Sequence, residues 1–505
     1  MINGVRVIGR CRGDVARGSR DGRETGPRHA WGGAVRPRGR MVVPGLAALL
    51  ALVCGVLPLA AGQPARAASA RVLPYLTAIS GSRTVAGQHN KEPLNLPTQY
   101  TDQARAITGV TPGLYGGDFA FGGDADRPTM VAAAAQQWRS GSLVTLMWHM
   151  CPPTAPASCD WTKDIMGRLT DAQWAELTTD GTALNATWKS RMDVVVPYLQ
   201  SLKAAGVEVL WRPDHELNDT WAWWGGRPGA DGSGKLFRMT HDYLVGKGLT
   251  NLVWVWSVKD VNTAAFADYY PGDAYVDVVG LDSWMQTFPS ADTYAKVLAV
   301  AHGKPIALTE VSRVPTPLQL KGQPRWAYFM IWSEYLTDPA YNTPARLRQT
   351  FTANRVLTQG EITLASPPAT PAPVDTTNVA LDQPAYASST DAATRDAGKA
   401  FDGETSTRWS SAYSDQQWIY TDLGQAYPIS SVRLNWETAY AKQYQIQFSL
   451  DGNTWTTVYQ DDKGNGGVDT VPLAGRQARY VKVYAWARGT QWGYSLWEFT
   501  VAVTA

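Results

Sequence analysis

Eight short apolar runs, each followed by a stretch with helical periodicity, constrain this chain more than any other feature. The runs are Thr84–His89, Gly113–Phe119, Leu143–His149, Val207–Arg212, Leu252–Val258, Val276–Leu281, Pro305–Thr309 and Ala327–Trp332. Runs that are apolar throughout, rather than alternating, suit a parallel sheet covered on its outer face. Between them lie stretches such as Asn185–Ala205, where Met192, Val195, Val196, Leu199 and Leu202 share one helical face. Eight such repeats predict an α/β fold: a closed (β/α)8 TIM barrel rather than an open doubly wound sheet. No Gly-rich phosphate loop follows the first run, which weakens a nucleotide-binding alternative.

The barrel is assigned to residues 71–362 of the 505. Beyond it, Ser366–Val374 reads SPPATPAPV, and residues 363–377 are expected to be an extended, semi-rigid linker. Residues 378–505 change pattern to short alternating strands such as Ser431–Trp436, Gln443–Ser449 and Ala478–Tyr484, which predict an all-β antiparallel sandwich. Residues 1–70 carry Arg36, Arg38 and Arg40, then the apolar run Met41–Gln63 and small residues up to Ala70. That order predicts a secretory signal peptide cut near Ala67 or Ala70. The expectation is a secreted, extracellular protein with no membrane association after cleavage. Met1–Ala34 is Arg- and Gly-rich without periodicity, so translation is expected to start nearer Val35 or Met41.

Cleavage leaves two of the 4 cysteines, Cys151 and Cys159, at the ends of CPPTAPASC. In an exported chain the expectation is a disulfide that pins a surface loop. Two free thiols is the weaker alternative, and metal binding weaker still, because no His/Cys cluster accompanies them. A net charge of +2 gives no reason to expect nucleic acid as a partner. A monomer is expected.

At or just beyond the C-terminal ends of the runs stand His89, Asp118, His149, His215-Glu216, Asp282-Ser283-Trp284, Glu310 and Trp332. In a closed barrel these ends converge on the face where active sites are built. Any one of them could be a packing residue, but every run except the fifth ends in a polar or aromatic group. Glu216 and Glu310 follow runs four and seven, on opposite sides of a small barrel mouth. Two facing carboxyls, one protonated and one ionised, are what glycoside hydrolysis needs. The 22 Trp and 22 Tyr fit that chemistry, since a sugar offers an apolar C–H face rimmed by hydroxyls.

The segment Trp211–Gly226, WRPDHELNDTWAWWGG, resembles the signature of glycoside hydrolase family 26, and the resemblance spans about Arg71–Glu361. It implies Glu216 as acid/base and Glu310 as nucleophile, with His149 and His215 beside the scissile bond. It also implies Arg212 around the nucleophile, Trp221 and Trp332 as stacking surfaces, and Asp282 and Trp284 among the sugar-contacting groups. The family usually has Tyr where Trp284 stands, and an indole has no hydroxyl to offer the nucleophile. The expected activity is a retaining endo-β-1,4-mannanase acting on mannan or galactomannan, with no catalytic cofactor. The alternatives are the same chemistry on β-1,3-xylan or mixed-linkage β-glucan, and a non-catalytic carbohydrate-binding adhesin.

Lys399–Trp409, Trp418–Gly424 and Tyr444–Trp455 resemble the discoidin (coagulation factor 5/8 type C) domain, a jelly-roll sandwich that in secreted bacterial enzymes is similar to carbohydrate-binding module family 32. The resemblance implies a structural Ca²⁺ near Asp402, Thr407 and Glu498. Trp436, Tyr440, Trp486 and Trp492 are the candidate sugar-binding aromatics of this domain.

Overall fold

The computed structural model describes residues 71–91, 94–120, 125–366 and 376–504. The segment expected to be an export signal and the Pro-rich core of the expected linker lie outside them. Eight parallel strands close on themselves: β1 (Thr84–Asn90), β2 (Leu114–Asp118), β3 (Leu143–Met147), β4 (Val209–Arg212), β5 (Leu252–Lys259), β6 (Val278–Ser283), β7 (Ile306–Val311) and β8 (Trp326–Ile331). Each pairs with the next, and β1 pairs with both β8 and β2, which completes the barrel.

The two ends of the barrel differ in chemistry. Near the N-terminal ends, Val85, Leu114, Leu143, Leu210, Val253 and Val278 form an apolar plug with helix α1 (Val72–Ile79). Each such Val or Leu contributes about 1.5–3 kcal/mol through burial. Toward the C-terminal ends the interior turns polar, with Arg212, Asp282 and Glu310 all buried. A second apolar layer lies between the strands and the outer helices. Helix α5 (Ala183–Ala204) packs there through Trp188, Met192, Val195, Val196, Leu199 and Leu202, the predicted face extended by one turn.

One irregularity matters for the site. Leu281 on β6 pairs with Leu308 on β7, but Asp282 pairs with Glu310, so Thr309 is an extra residue. Such bulges re-aim side chains beside active sites. Here the bulge brings the Asp282 and Glu310 backbones level. Gly280 makes room for it, because a Cβ there would meet Thr309 Oγ1 at 2.5 Å.

The C-terminal domain is an antiparallel eight-stranded sheet built on two long strands, β13 (Gln417–Trp436) and β16 (Val468–Arg488). Register shifts after Asp422 and Ile429 bend β13. Inward residues such as Ile419, Val432, Leu434, Val481 and Val483 form its core. The outward set on the same strands, Trp418, Tyr420, Tyr480, Lys482 and Tyr484, stays partly exposed. It meets the barrel at Arg348–Glu404, 2.6 Å apart, and at Thr343, whose hydroxyl donates to Asp382 at 2.8 Å.

Candidate active site

After β4 the chain leaves regular structure, and Asp214 and Glu216 adopt positive φ angles of 47° and 55°. That region is costly for residues with a Cβ and persists only where surroundings enforce it. The Trp-rich motif supplies the enforcement. Trp224 Nε1 donates to the His215 carbonyl and Trp223 Nε1 to the Met150 carbonyl, both at 2.7 Å. The Asn218 amide donates to the carbonyls of Lys259 (2.9 Å) and Val261 (2.7 Å) and accepts from Lys259 N–H at 2.7 Å. Thus the loop after β4 is bolted to the end of β5, and Glu216 is aimed into the mouth.

Glu216, Asp282 and Glu310 each offer a carboxylate oxygen within 4.8 Å of the other two. Arg212 binds two of them: Nη1 donates to Asp282 at 2.8 Å and Nη2 donates to Glu310. Asp282 also accepts from the Thr309 hydroxyl at 2.5 Å. Glu216 accepts from the Trp221 indole N–H and faces Lys259 Nζ at 3.3 Å; the same ammonium holds Asp219 at 2.9 Å. Burial, reinforced by the charge of Asp282, pushes Glu216 up to about 7, against the pull of Lys259 and Trp221. Burial likewise raises Glu310 and Asp282, and Arg212 opposes it at both.

These groups open onto a cavity of about 450 Å³. On one side, His149 Nδ1 pairs with Asp118 at 2.5 Å, which leaves Nε2 to face a ligand. Burial tends to raise Asp118, but His149 outweighs it and keeps the carboxylate low. The His215 ring meets His149 edge-on at 4.7 Å and is held neutral by burial and by Arg212. Trp161 and Trp221 stack with centroids 5.7 Å apart. On the other side, Trp332 lies parallel to His89 at 4.1 Å, with Trp284 edge-on at 6.1 Å. Burial depresses His89 to about 3, so that stack is neutral.

Of the expected site residues, Glu216, Glu310, His149, His215, Trp221, Trp284 and Trp332 line this cavity. Asp282 and Arg212 do not. Asp282 was expected among the sugar-contacting groups, but its side chain is 0% exposed and pairs with Arg212; Arg212, expected around the nucleophile, is 1% exposed and donates to Glu310. The fifth strand also differs from expectation, because β5 extends one residue past the apolar run and ends in Lys259. Trp161, Lys91, Glu334 and Tyr335 also line the cavity and were missed. All four sit outside the apolar runs, Lys91 in irregular chain and the other three in the short helical turns Trp161–Ile165 and Ser333–Leu336, too short for periodicity to mark them. Cys151 and Cys159 are bonded, with Cα atoms 5.9 Å apart. Arg191 caps their loop through the Pro156 carbonyl at 2.9 Å.

In the C-terminal domain the four candidate aromatics separate. Trp436 is buried and donates to Asp469 at 2.9 Å, which makes it a core residue. Tyr440 and Trp486 are half-buried. Trp492 is 47% exposed and meets Tyr413, itself 56% exposed, at 5.6 Å. The Thr407 hydroxyl donates to both oxygens of Asp402, at 2.9 and 2.7 Å. Glu498 Oε1 is buried with no hydrogen-bond partner, and burial together with Asp402 raises this carboxyl to about 8.

The glycosyl hydrolase family 26 model matches residues 62–361, and the F5/8 type C domain model matches residues 384–499. A mannan endo-1,4-beta-mannosidase of Thermothelomyces thermophilus is 31% identical over 310 residues, covering 59% of this chain and 62% of that protein. The chain thus spans less than two thirds of that relative's length. A mannan endo-1,4-beta-mannosidase of Bacillus subtilis is 29% identical over 265 residues, 46% of this chain and 69% of that one. Among solved structures, the GH26A protein of Muricauda sp. superposes with a TM-score of 0.54 at 34% identity, covering 58% of this chain and 96% of its own. A beta-mannanase from a symbiotic protist of the termite Reticulitermes speratus, solved with a gluco-manno-oligosaccharide, gives 0.52 at 28% identity, covering 60% and 96%.

Proposed function

From the premise that this chain belongs to glycosyl hydrolase family 26, we propose that it is a secreted, retaining endo-β-1,4-mannanase whose C-terminal domain binds polysaccharide. The observation that carries this reading is the Glu216–Glu310 pair, with carboxylate oxygens no more than 4.8 Å apart over one cavity. A spacing near 5–5.5 Å suits direct attack on the sugar; inverting enzymes hold their carboxyls further apart, about 6.5–9.5 Å, to admit a water.

The three buried carboxyls face two cations, Arg212 and Lys259, so electroneutrality asks for one proton among the three. Glu310 and Asp282 divide the guanidinium between them. Glu216 has only the ammonium, at 3.3 Å and shared with Asp219, so the proton goes to Glu216. Glu310 then attacks the anomeric carbon while Glu216 gives its proton to the departing glycosidic oxygen, leaving a glycosyl ester on Glu310. Esterification removes the Glu310 charge, and Glu216, now ionised, takes a proton from the water that cleaves the ester. His149, aimed by Asp118, and neutral His215 offer ring nitrogens to sugar hydroxyls. Trp332 and the Trp161–Trp221 pair offer flat walls to its C–H faces. Trp284 supplies wall rather than a hydroxyl, and Arg212 is the group that holds Glu310.

Both relatives named as mannan endo-1,4-beta-mannosidases support a mannan backbone as substrate. In the C-terminal domain, Asp402 and Glu498 suit a hard cation: two carboxylates face each other, and one oxygen is buried without a partner. Bound there, Ca²⁺ would supply charge balance to the fold and take no part in hydrolysis. Among the described residues no helix is long and apolar enough to cross a membrane. The Cys151–Cys159 bond agrees with an exported chain.

The test is a panel of galactomannan, β-1,3-xylan and mixed-linkage β-glucan, with the anomeric form of the first product followed by NMR. Rapid release of β-configured mannooligosaccharides is the expected result. Activity confined to the other two polymers would overturn the substrate, and an initial α-anomer would overturn the double displacement.

A further inference from the structure

Among the described residues, Lys259 is the one cavity-lining cation in direct contact with Glu216, and the mechanism above counts its charge before the first step without giving it a part in the second. Its Nζ sits 3.3 Å from Glu216 Oε2 and 2.9 Å from Asp219 Oδ2, with its side chain 19% exposed. Its backbone is fixed from both sides by Asn218, within the same motif that carries Glu216. So the ammonium is held against the catalytic acid by the loop that presents that acid.

We propose that Lys259 is a positioning residue for Glu216: the fixed counter-ion that lets this carboxyl release its proton in the first half-reaction and remain ionised as the base in the second. This deepens the two-glutamate reading and rests on it. Before attack, Glu216, Asp282 and Glu310 face Arg212 and Lys259, and one proton balances the set. Once Glu310 is esterified, Asp282 keeps Arg212 and Glu216 keeps Lys259, which it shares with the part-exposed Asp219, so both buried carboxylates stand ionised beside a cation without a further proton. An uncharged residue at position 259 would leave Glu216 facing Asp219 and Asp282 with no cation of its own, and it would hold its proton when it must act as base.

Other charged and titratable groups around Glu216 leave this role open. His149 is committed to Asp118. His89 and His215 are held neutral by burial. Arg212 is engaged by Asp282 and Glu310. Asp219, on Glu216's own loop, grips the far side of the same ammonium and opposes its pull.

The experiment uses the full chain carrying Lys259→Met, Lys259→Arg or Asp219→Asn, and reads the pH profile of kcat/KM on mannooligosaccharide. It also reads kcat on an aryl β-mannoside whose good leaving group makes ester hydrolysis limiting. Lys259→Met is expected to move the basic limb up by about one pH unit. It should also lower kcat on the aryl substrate about ten- to a hundredfold, more than it lowers kcat/KM there. Lys259→Arg should restore most of both. If Lys259→Met does not fold, Asp219→Asn carries the test: freeing the ammonium for Glu216 should move the basic limb down. A basic limb that stays in place while activity falls evenly at every pH reduces Lys259 to a structural prop and overturns the proposal. An active wild type silenced by Glu310→Ala, with that immobile limb, would sink this inference alone. A wild type inactive on every polysaccharide would sink the two-glutamate reading with it.

Discussion

Among the described residues, the barrel mouth and the C-terminal domain each bury a carboxyl against another carboxyl, and they resolve the conflict differently. At the barrel mouth, Glu216, Asp282 and Glu310 crowd together, but Arg212 and Lys259 are built in beside them. In the C-terminal domain, Glu498 faces Asp402, and the cation nearby, Lys399, reaches only Asp402, at 3.6 Å, leaving Glu498 Oε1 unpartnered. A carboxyl cluster supplied with its own cations can pass a proton back and forth without dismantling the site. One lacking them calls for an ion from outside. The first arrangement suits turnover; the second suits a structural metal.

The sharpest way to break that contrast is to remove the proposed nucleophile. Glu310→Ala should cut kcat/KM on galactomannan by about four orders of magnitude or more while leaving retention on insoluble mannan unchanged, as read by reducing-sugar release and pull-down. Residual activity near wild type would erase the distinction. Glu216→Gln should cost about 10²–10⁴-fold on polysaccharide and much less on an aryl mannoside with a good leaving group, where little acid assistance is needed. In the wild type, a Glu216 carboxyl at about 7 must be protonated to act. Activity should therefore fall as the pH rises above about 7.

Asp282 tests whether the mouth's cations are truly partnered. Asp282→Asn removes the charge that shares the buried Arg212 with Glu310, and its single carbonyl oxygen can replace the acceptor of Arg212 or of Thr309 but not both. Breaking a buried pair in this way costs about 3–5 kcal/mol, measurable by denaturant unfolding of the barrel.

The facing pair Glu216 and Glu310 was legible because a general barrel rule applies: what stands at or just beyond a strand's C-terminal end tends to face the mouth. Glu216, Glu310, His149 and Trp332 follow it. Lys259 escaped because its long aliphatic stem lets β5 run on past Val258, beyond the point where apolar character stops. Asp282 was seen but misplaced, because sequence does not show which strand-end residues fall below the mouth. The Thr309 bulge that aligns Asp282 with Glu310 leaves no mark in composition. In the C-terminal domain, alternation told strands from turns, but both faces of β13 carry aromatics. Trp436 therefore passed for a sugar-binding aromatic, although its ring is buried and its indole donates to Asp469.

Trp492 tests the polysaccharide binding proposed for the sheet domain. Trp492→Ala removes an exposed indole beside Tyr413 and should weaken retention on insoluble mannan about two- to tenfold, on the scale of one aromatic contact. Hydrolysis of soluble mannooligosaccharides should not change.

The smallest effect comes from Glu498, and its sign follows from linkage. Burial and Asp402 raise this carboxyl from 4.5 to about 8. The folded state therefore keeps a proton that the unfolded chain gives up. Below the unfolded value both states are protonated and Glu498 costs nothing; between about 4.5 and 8 stability is progressively lost as pH rises. A calcium ion bound between Asp402 and Glu498 would restore it, because the cation stabilises the ionised form in the folded state only. Calcium should then raise the unfolding temperature of the C-terminal domain by about 2–8 °C at pH 8 and by much less at pH 5. Glu498→Gln should be stable without calcium and indifferent to it at either pH, since the amide carries no charge to balance. Equal calcium responses in the variant and the wild type would mean that the ion sits elsewhere, and the contrast between a mouth with built-in cations and a fold awaiting one would lose its second half.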